Sequence, residues 1–176
     1  MSLATLYPLP SAAGCRGNVL IKVEPTWAPE GAERFLSMVN EGYLADMALY
    51  RSVPNFLVQF GLRHEHASYD RFCSTRIPDD QSHQMQVRRG MLAFAGHGKD
   101  SRACQVFVSY TDDKNLGTHL SKASLGTQPW ETPFAHVVEG LDEVVGQWTT
   151  EYGDMPPWGT GPDPKRLQSE GNSYVR

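Results

Sequence analysis

Cysteine is scarce in this chain and shows no pairing pattern. Cys15, Cys73 and Cys104 are odd in number and far apart, and no two form a Cys-x-x-Cys pair. No Asn-x-Ser/Thr sequon occurs either. A disulfide-stapled secreted module is therefore not expected, and a reduced compartment, the cytoplasm, is. Long apolar runs are missing: nothing approaches the roughly 20 residues that span a bilayer, so no membrane partner is expected. Met1 to Gly14 has no basic start, and Pro8 and Pro10 interrupt it, which makes it a poor leader peptide. No basic run exceeds Arg88-Arg89 and the net charge is −4, so no nucleic-acid partner is expected. Internal repeats and low-complexity tracts are absent as well.

What remains is a globular composition. Apolar residues make up 40% and charged residues 20%, enough of the first and little enough of the second to form a packed core. A chain of 176 residues suits one domain that buries roughly 70% of its unfolded surface. We divide it into a body, 1–150, and an extension, 151–176, expected to pack on or trail from it as a monomer.

Short apolar segments bounded by Gly, Pro or Asp dominate the body. Asn18 to Glu24 alternates, with Val19, Ile21 and Val23 on one face. Met47 to Val53, Phe56 to Phe60, Met91 to Ala95, Gln105 to Tyr110 and Phe134 to Val138 are further strands, and Leu3 to Leu9 is an additional N-terminal candidate. Two helices are predicted. Pro29 suits a first turn, Ala32, Phe35, Leu36 and Val39 follow helical spacing, and Gly42 suits the exit. Leu141, Val144, Val145 and Trp148 repeat that spacing after Gly140. Many strands and two distant helices predict a mainly β protein, a closed antiparallel barrel capped by two α-helices. Arg63 to Arg89 is polar and expected to wrap the surface. The proline-rich extension is expected to hold no central strand, with Trp158 and Tyr174 as candidate docking residues.

Two segments carry the chemistry: Tyr50-Arg51-Ser52-Val53-Pro54-Asn55-Phe56-Leu57-Val58-Gln59-Phe60-Gly61, and Phe94-Ala95 running through Gly98 and Ser101 to Gln105-Val106-Phe107-Val108. An arginine among aromatics, with carboxamides beside it, suits a neutral backbone ligand rather than a metal or a phosphate. Singly, Arg51 reads as a surface ion pair and Phe56 and Phe107 as core. Together, at this spacing on strands, they read as a site.

The pattern Tyr50-Arg51-x-x-Pro54-x-Phe56-x-x-Gln59, the block Phe94-Ala95-x-x-Gly98-x-x-Ser101-x-x-x-Gln105-x-Phe107-Val108, and the helix Ala28-Pro29-Glu30-Gly31-Ala32-Glu33-Arg34-Phe35-Leu36 resemble the cyclophilin-type peptidyl-prolyl cis–trans isomerases from about Gly17 to Trp148. The resemblance implies an eight-stranded barrel and a metal-free, cofactor-free isomerase acting on proline-containing peptides. It implies that Arg51 is catalytic. Phe56, Leu57 and Phe107 would form the proline pocket, with Leu125 as its far wall. Gln59 and Gln105 would bond the substrate backbone, and Ala95, Gly96 and His97 would line the groove before proline. The chain departs from the family at Tyr50, where histidine is common, and at Gly96, where asparagine is common. Ser124 stands at the usual tryptophan and Glu131 at the usual histidine. Reduced affinity for cyclosporin-like macrocycles and repulsion of acidic peptides by Glu131 are expected. The extension resembles one found in some microbial and algal members.

Other features read as structural. His64, His66, His83, His97, His119 and His136 lack ligand-spaced acidic or cysteine partners and are expected to be solvated loop residues. Gly96-His97-Gly98 precedes a strand rather than a helix, which argues against a phosphate loop. Cys104 is expected to be a small apolar side chain, buried or partly exposed, rather than a nucleophile. Asp79-Asp80 is expected to be a turn.

Overall fold

The computed structural model describes residues 2–6, 17–80, 85–112 and 128–175. Among the described residues seven strands are formed: β1 (Ser2–Leu6), β2 (Val19–Val23), β3 (Arg51–Val53), β4 (Leu57–Phe60), β5 (Met91–Phe94), β6 (Val106–Ser109) and β7 (Ala135–Glu139). They build one antiparallel sheet in the order β1-β2-β7-β5-β6-β4-β3. Among the described residues β1 and β3 are its unpaired ends, so the sheet is open and seven-stranded where a closed eight-stranded barrel was expected. Six strands fall where the apolar segments placed them, β2 to β6 shorter and β7 shifted by one residue, and β1 falls on the N-terminal candidate. Met47 to Tyr50 in particular runs as loop into β3.

Helix α1 (Pro29–Asn40) forms as the spacing predicts, with Pro29 in its first turn and Ala32, Phe35 and Met38 buried against the sheet. Its N-terminus is closed from far away in sequence. The N–H groups of Glu30 and Gly31 donate to the Asp80 carboxylate at 2.8 and 3.1 Å, and Arg102 Nη1 donates to the same carboxylate at 2.7 Å. Arg102 is fully buried. Asp80 is thus a cap for a distant helix, and Asp79 and Asp100 each donate a backbone N–H to the other's carboxylate; neither is a turn residue.

The second predicted helix is absent. Residues 141–144 form a turn and Val145–Gln147 a single 3-10 turn. Val144 and Val145 both donate to the carbonyl of Gly140. An adjacent pair of β-branched residues followed by Gly146 is a weak helix former, and burial of both valines sets the local path instead. Helices appear in the extension: α2 (Pro164–Glu170), capped by Asp163, and α3 (Asn172–Val175). Leu167 of α2 is fully buried in the main core and Tyr174 packs against it, whereas Trp158 is 63% exposed. Of the two expected docking residues, Tyr174 is packed against the core.

Arg63 to Arg89 is more than a surface wrap. It holds a π-helical turn, Asp70–Ser74, with Phe72 buried, and Ile77 bridges to Arg102. Cys73, in that turn, forms a disulfide with Cys104. The expectation of unpaired cysteines is therefore corrected. The pairing gave no signal in sequence because 31 positions separate the partners.

Candidate active site

Register builds the site. Arg51 on β3 stands opposite Gln59 on β4, Gln59 opposite Phe107 on β6, and Phe107 opposite Ala93 on β5. The side-chain period of two therefore puts Arg51, Gln59, Phe107 and Ala93 in one row on one face. The neighbouring row, Val58, Val108 and Leu92, faces the main core with Phe60, Val106 and Phe94. On the site face, Phe56, Leu57, Val87, Ala93 and Phe107 form a second apolar cluster, against which Val53, Met91 and Ala95 pack. This is why β4 and β6 are buried on both faces.

Gly61 lets β4 end tightly against this site. At φ +121°, a Cβ there would lie 2.1 Å from the Cys104 carbonyl oxygen, so no other residue fits. Cys104 is followed directly by Gln105, and the disulfide ties that point to the 70–74 turn. Cys104 is buried as expected, but its sulfur is oxidised.

A line of hydrogen bonds runs through the polar residues. Arg51 Nη1 donates to Gln59 Oε1 at 3.0 Å, and Gln59 Nε2 donates to Gln105 Oε1 at 2.9 Å. The Tyr50 hydroxyl donates to the same Gln105 oxygen at 2.7 Å. Burial pushes the Tyr50 hydroxyl far above the usual tyrosine range, so it stays a proton donor. With its oxygen taken twice, Gln105 offers its amide nitrogen for a ligand. The Arg51 guanidinium lies over the Phe56 ring, 5.3 Å from the centroid, and thus borders the apolar cluster. Its other edge pairs with Asp154, Nε to Oδ1 at 2.7 Å and Nη2 to Oδ2 at 3.1 Å.

The structure brings together Arg51, Phe56, Leu57, Gln59, Gln105 and Phe107. Ala95 continues the β5–β6 ladder, its N–H donating to the Gln105 carbonyl at 2.9 Å. Gly96 and His97 follow it, with His97 exposed and its N–H on Ser101 Oγ. Gly96 is covered: a Cβ there would lie 2.7 Å from Trp130 Cδ1 and 2.8 Å from Ser101 Oγ. Trp130 and Glu131 share the 3-10 turn Pro129–Glu131, which packs on β5. Leu125 and Ser124 lie outside the described residues.

Three participants went unpredicted as such: Tyr50 as a donor, Trp130 as a cover, and Asp154. Tyr50 had a signal in its place beside Arg51. Asp154 had none, being 103 positions away from its partner. The histidines serve elsewhere. His66 accepts from the Ser68 N–H, and His136 is on β7, stacked on Trp27, rather than in a loop. His83 and His119 lie outside the described residues. Among the described residues no three His, Cys, Asp or Glu side chains cluster as metal ligands, and no helix is long and apolar enough to cross a membrane.

Comparison with known proteins agrees with this geometry. A family model described as cyclophilin type peptidyl-prolyl cis-trans isomerase/CLD matches residues 11–154. The peptidyl-prolyl cis-trans isomerase B of Escherichia coli is 29% identical over 130 residues, covering 73% of this chain and 76% of that protein. A peptidyl-prolyl cis-trans isomerase-like 2 of Neurospora crassa is 27% identical over 134 residues, 73% of this chain; the chain spans only 20% of that relative's length. The crystal structure of a Cryptosporidium parvum cyclophilin type peptidyl-prolyl cis-trans isomerase superposes with a TM-score of 0.54 at 18% identity, over 72% of this chain and 75% of that one, which shows the shared fold. With most of its length matched and the matched blocks assembled into one row of side chains, the chain belongs to the cyclophilin-type peptidyl-prolyl cis-trans isomerase family.

Proposed function

We propose that this protein is an active prolyl isomerase that rotates X–Pro bonds in exposed peptide segments. The observation that carries the reading is the row Arg51–Gln59–Phe107, with the guanidinium lying over Phe56 beside the apolar cluster. An X–Pro bond turns slowly because amide resonance sets a barrier of roughly 18–20 kcal/mol. In the twisted state resonance is lost and the proline nitrogen gains a lone pair. A fixed, permanently charged N–H donor beside the ring binds that state better than either planar one. Phe56, Leu57 and Phe107 hold the ring, and Gln59 and Gln105 hold the flanking backbone through neutral donors and acceptors. The chemistry needs no metal and no cofactor.

The same reading names the partners: proline-containing peptides or proteins, met by a monomer. A Cryptosporidium parvum cyclophilin structure was obtained in the presence of the dipeptide Ala-Pro, which makes that sequence a rational probe. Leu125 as a far wall, weak cyclosporin binding and Glu131 as a filter against acidic peptides belong to this proposal too. So does the division at residue 150, with 1–150 as the isomerase body. Cytoplasmic residence is supported by the missing sequons, while the Cys73–Cys104 pair weighs towards an oxidising compartment. Thiol labelling in intact cells decides between them.

A second reading, a peptide-binding module without turnover, has one observation in its favour: Trp130 fills the space over Gly96 where the groove would hold residues before proline. Two-dimensional exchange NMR on an Ala-Pro peptide separates the two. Catalysis gives cis–trans exchange peaks that Arg51→Ala removes; a module gives shifts without exchange.

A further inference from the structure

We propose that Asp154, in the extension, is the positioning residue for Arg51, so that the segment after residue 150 completes the isomerase site. The inference rests on the reading of Arg51 as the catalytic arginine.

The pair has the fork-on-fork geometry of a bidentate arginine–carboxylate contact, with two bonds at 2.7 and 3.1 Å. Asp154 is 4% exposed and Arg51 15%, so water competes poorly for either partner. Gln59 takes Nη1 on the other side. A guanidinium has five N–H donors in one plane. The bonds to Asp154 and Gln59 fix that plane and leave one donor on each Nη for a ligand. Without the carboxylate, Arg51 keeps Gln59 and Phe56 but loses the contact that sets its rotation about the last side-chain bonds. Catalysis by a donor aimed at one atom depends on that rotation.

The carboxylate is itself held. Its Oδ1 accepts the Met155 N–H at 2.7 Å, and the Asp154 carbonyl accepts the Gly161 N–H at 3.0 Å. Thr160 donates to the Tyr152 carbonyl and closes the loop 152–161. Gly159 sits so close to the Asp154 backbone that a Cβ there would lie 2.1 Å from its carbonyl oxygen and 2.5 Å from its nitrogen. A side chain at Gly159 therefore displaces Asp154 while leaving both members of the pair chemically intact. Leu167 anchors the following helix in the core, which keeps the loop from drifting.

The test measures kcat and KM on an Ala-Pro peptide for the full chain, Asp154→Asn, Asp154→Ala, Gly159→Ala and Arg51→Ala, with thermal melting beside each. The expected result is a kcat lower by about 10- to 100-fold in Asp154→Ala and Gly159→Ala, with KM within about twofold, and a smaller loss in Asp154→Asn, which keeps one acceptor. The Arg51 Nε–H resonance, protected from exchange in the parent, broadens or vanishes in the Asp154 variants. If Asp154→Asn and Gly159→Ala remain folded with parental kcat while Arg51→Ala is inactive, Asp154 has no positioning role. A kcat above the parent overturns the inference equally, since the pair would then be a brake. If Arg51→Ala itself retains parental turnover, the underlying reading of Arg51 is what fails. Should Asp154→Ala not fold, the Asn and Gly159 variants carry the result.

Discussion

Gln59 stands directly across the β3–β4 pair from Arg51, and its carboxamide oxygen accepts the Arg51 Nη1 proton at 3.0 Å while its nitrogen donates to Gln105. One side chain thereby sets the orientation of both the arginine and the second glutamine. Gln59→Leu keeps the volume and removes both bonds. We expect kcat/KM to fall by about tenfold or more, since each lost bond to a charged or buried partner costs about 1–3 kcal/mol. Steady-state isomerisation of an Ala-Pro peptide reads this; an unchanged kcat/KM contradicts the relay.

Burial raises four tyrosine hydroxyls: Tyr43 and Tyr50 far above the usual range, Tyr110 up to about 12, and Tyr69. Each is neutral in the folded state at a pH where the unfolded chain, with tyrosines near pKa 10, begins to ionise. The unfolded state then holds fewer protons, so stability is full below about pH 10 and falls as pH rises above it. Urea unfolding from pH 8 to 11.5 should show this decline. Tyr50→Phe should flatten it, at a cost near neutral pH of about 1 kcal/mol for the lost bond to Gln105.

The Cys73–Cys104 bridge closes a loop with a sequence separation of 31 residues. On the chain-entropy account that constraint contributes about 3–4 kcal/mol. Reduction, or the double variant Cys73→Ser with Cys104→Ser, should lower the denaturation midpoint accordingly. Because Gln105 follows Cys104, kcat/KM should also fall with the stability; a midpoint that does not move with reductant shows the bridge contributes nothing.

Gly96 and Trp130 exclude each other's enlargement. Gly96→Asn alone should destabilise the chain by about 1–3 kcal/mol, since its Cβ meets Trp130 at 2.7 Å. Paired with Trp130→Ala, the same change should cost less than the sum of the two single variants, a coupling that a double-mutant cycle measures directly. Strict additivity would mean the two positions do not touch.

Much of this is legible in the sequence. The strands showed themselves because β4, β5 and β6 are short apolar runs between Gly, Pro and Asp, and α1 because its proline, spacing and exit glycine agree. The site residues Arg51, Gln59 and Phe107 were legible as a pattern, and pairing register explains why the pattern works. What stayed hidden was long-range or marginal. Asp80 caps α1 from 50 positions away, and Cys73 finds Cys104 across 31. Asp154 reaches Arg51 across 103. No local period encodes such contacts. The helix expected at 141–148 failed because its apolar spacing came with Val144-Val145-Gly146, and burial of the valines outweighed the period. In the extension the aromatics are the conspicuous residues, yet Leu167 is the fully buried anchor and Trp158 is largely exposed.

The central claim is that the Arg51 guanidinium drives rotation about the X–Pro bond, and exchange NMR on an Ala-Pro peptide with parent protein and Arg51→Ala tests it most directly. The account predicts cis–trans exchange peaks with catalytic amounts of parent, reduced by about 100-fold or more in rate for Arg51→Ala, with peptide affinity little changed and the protein still folded at a lower melting temperature, because Asp154 loses its bidentate partner. Equal exchange rates for the two folded proteins would contradict it.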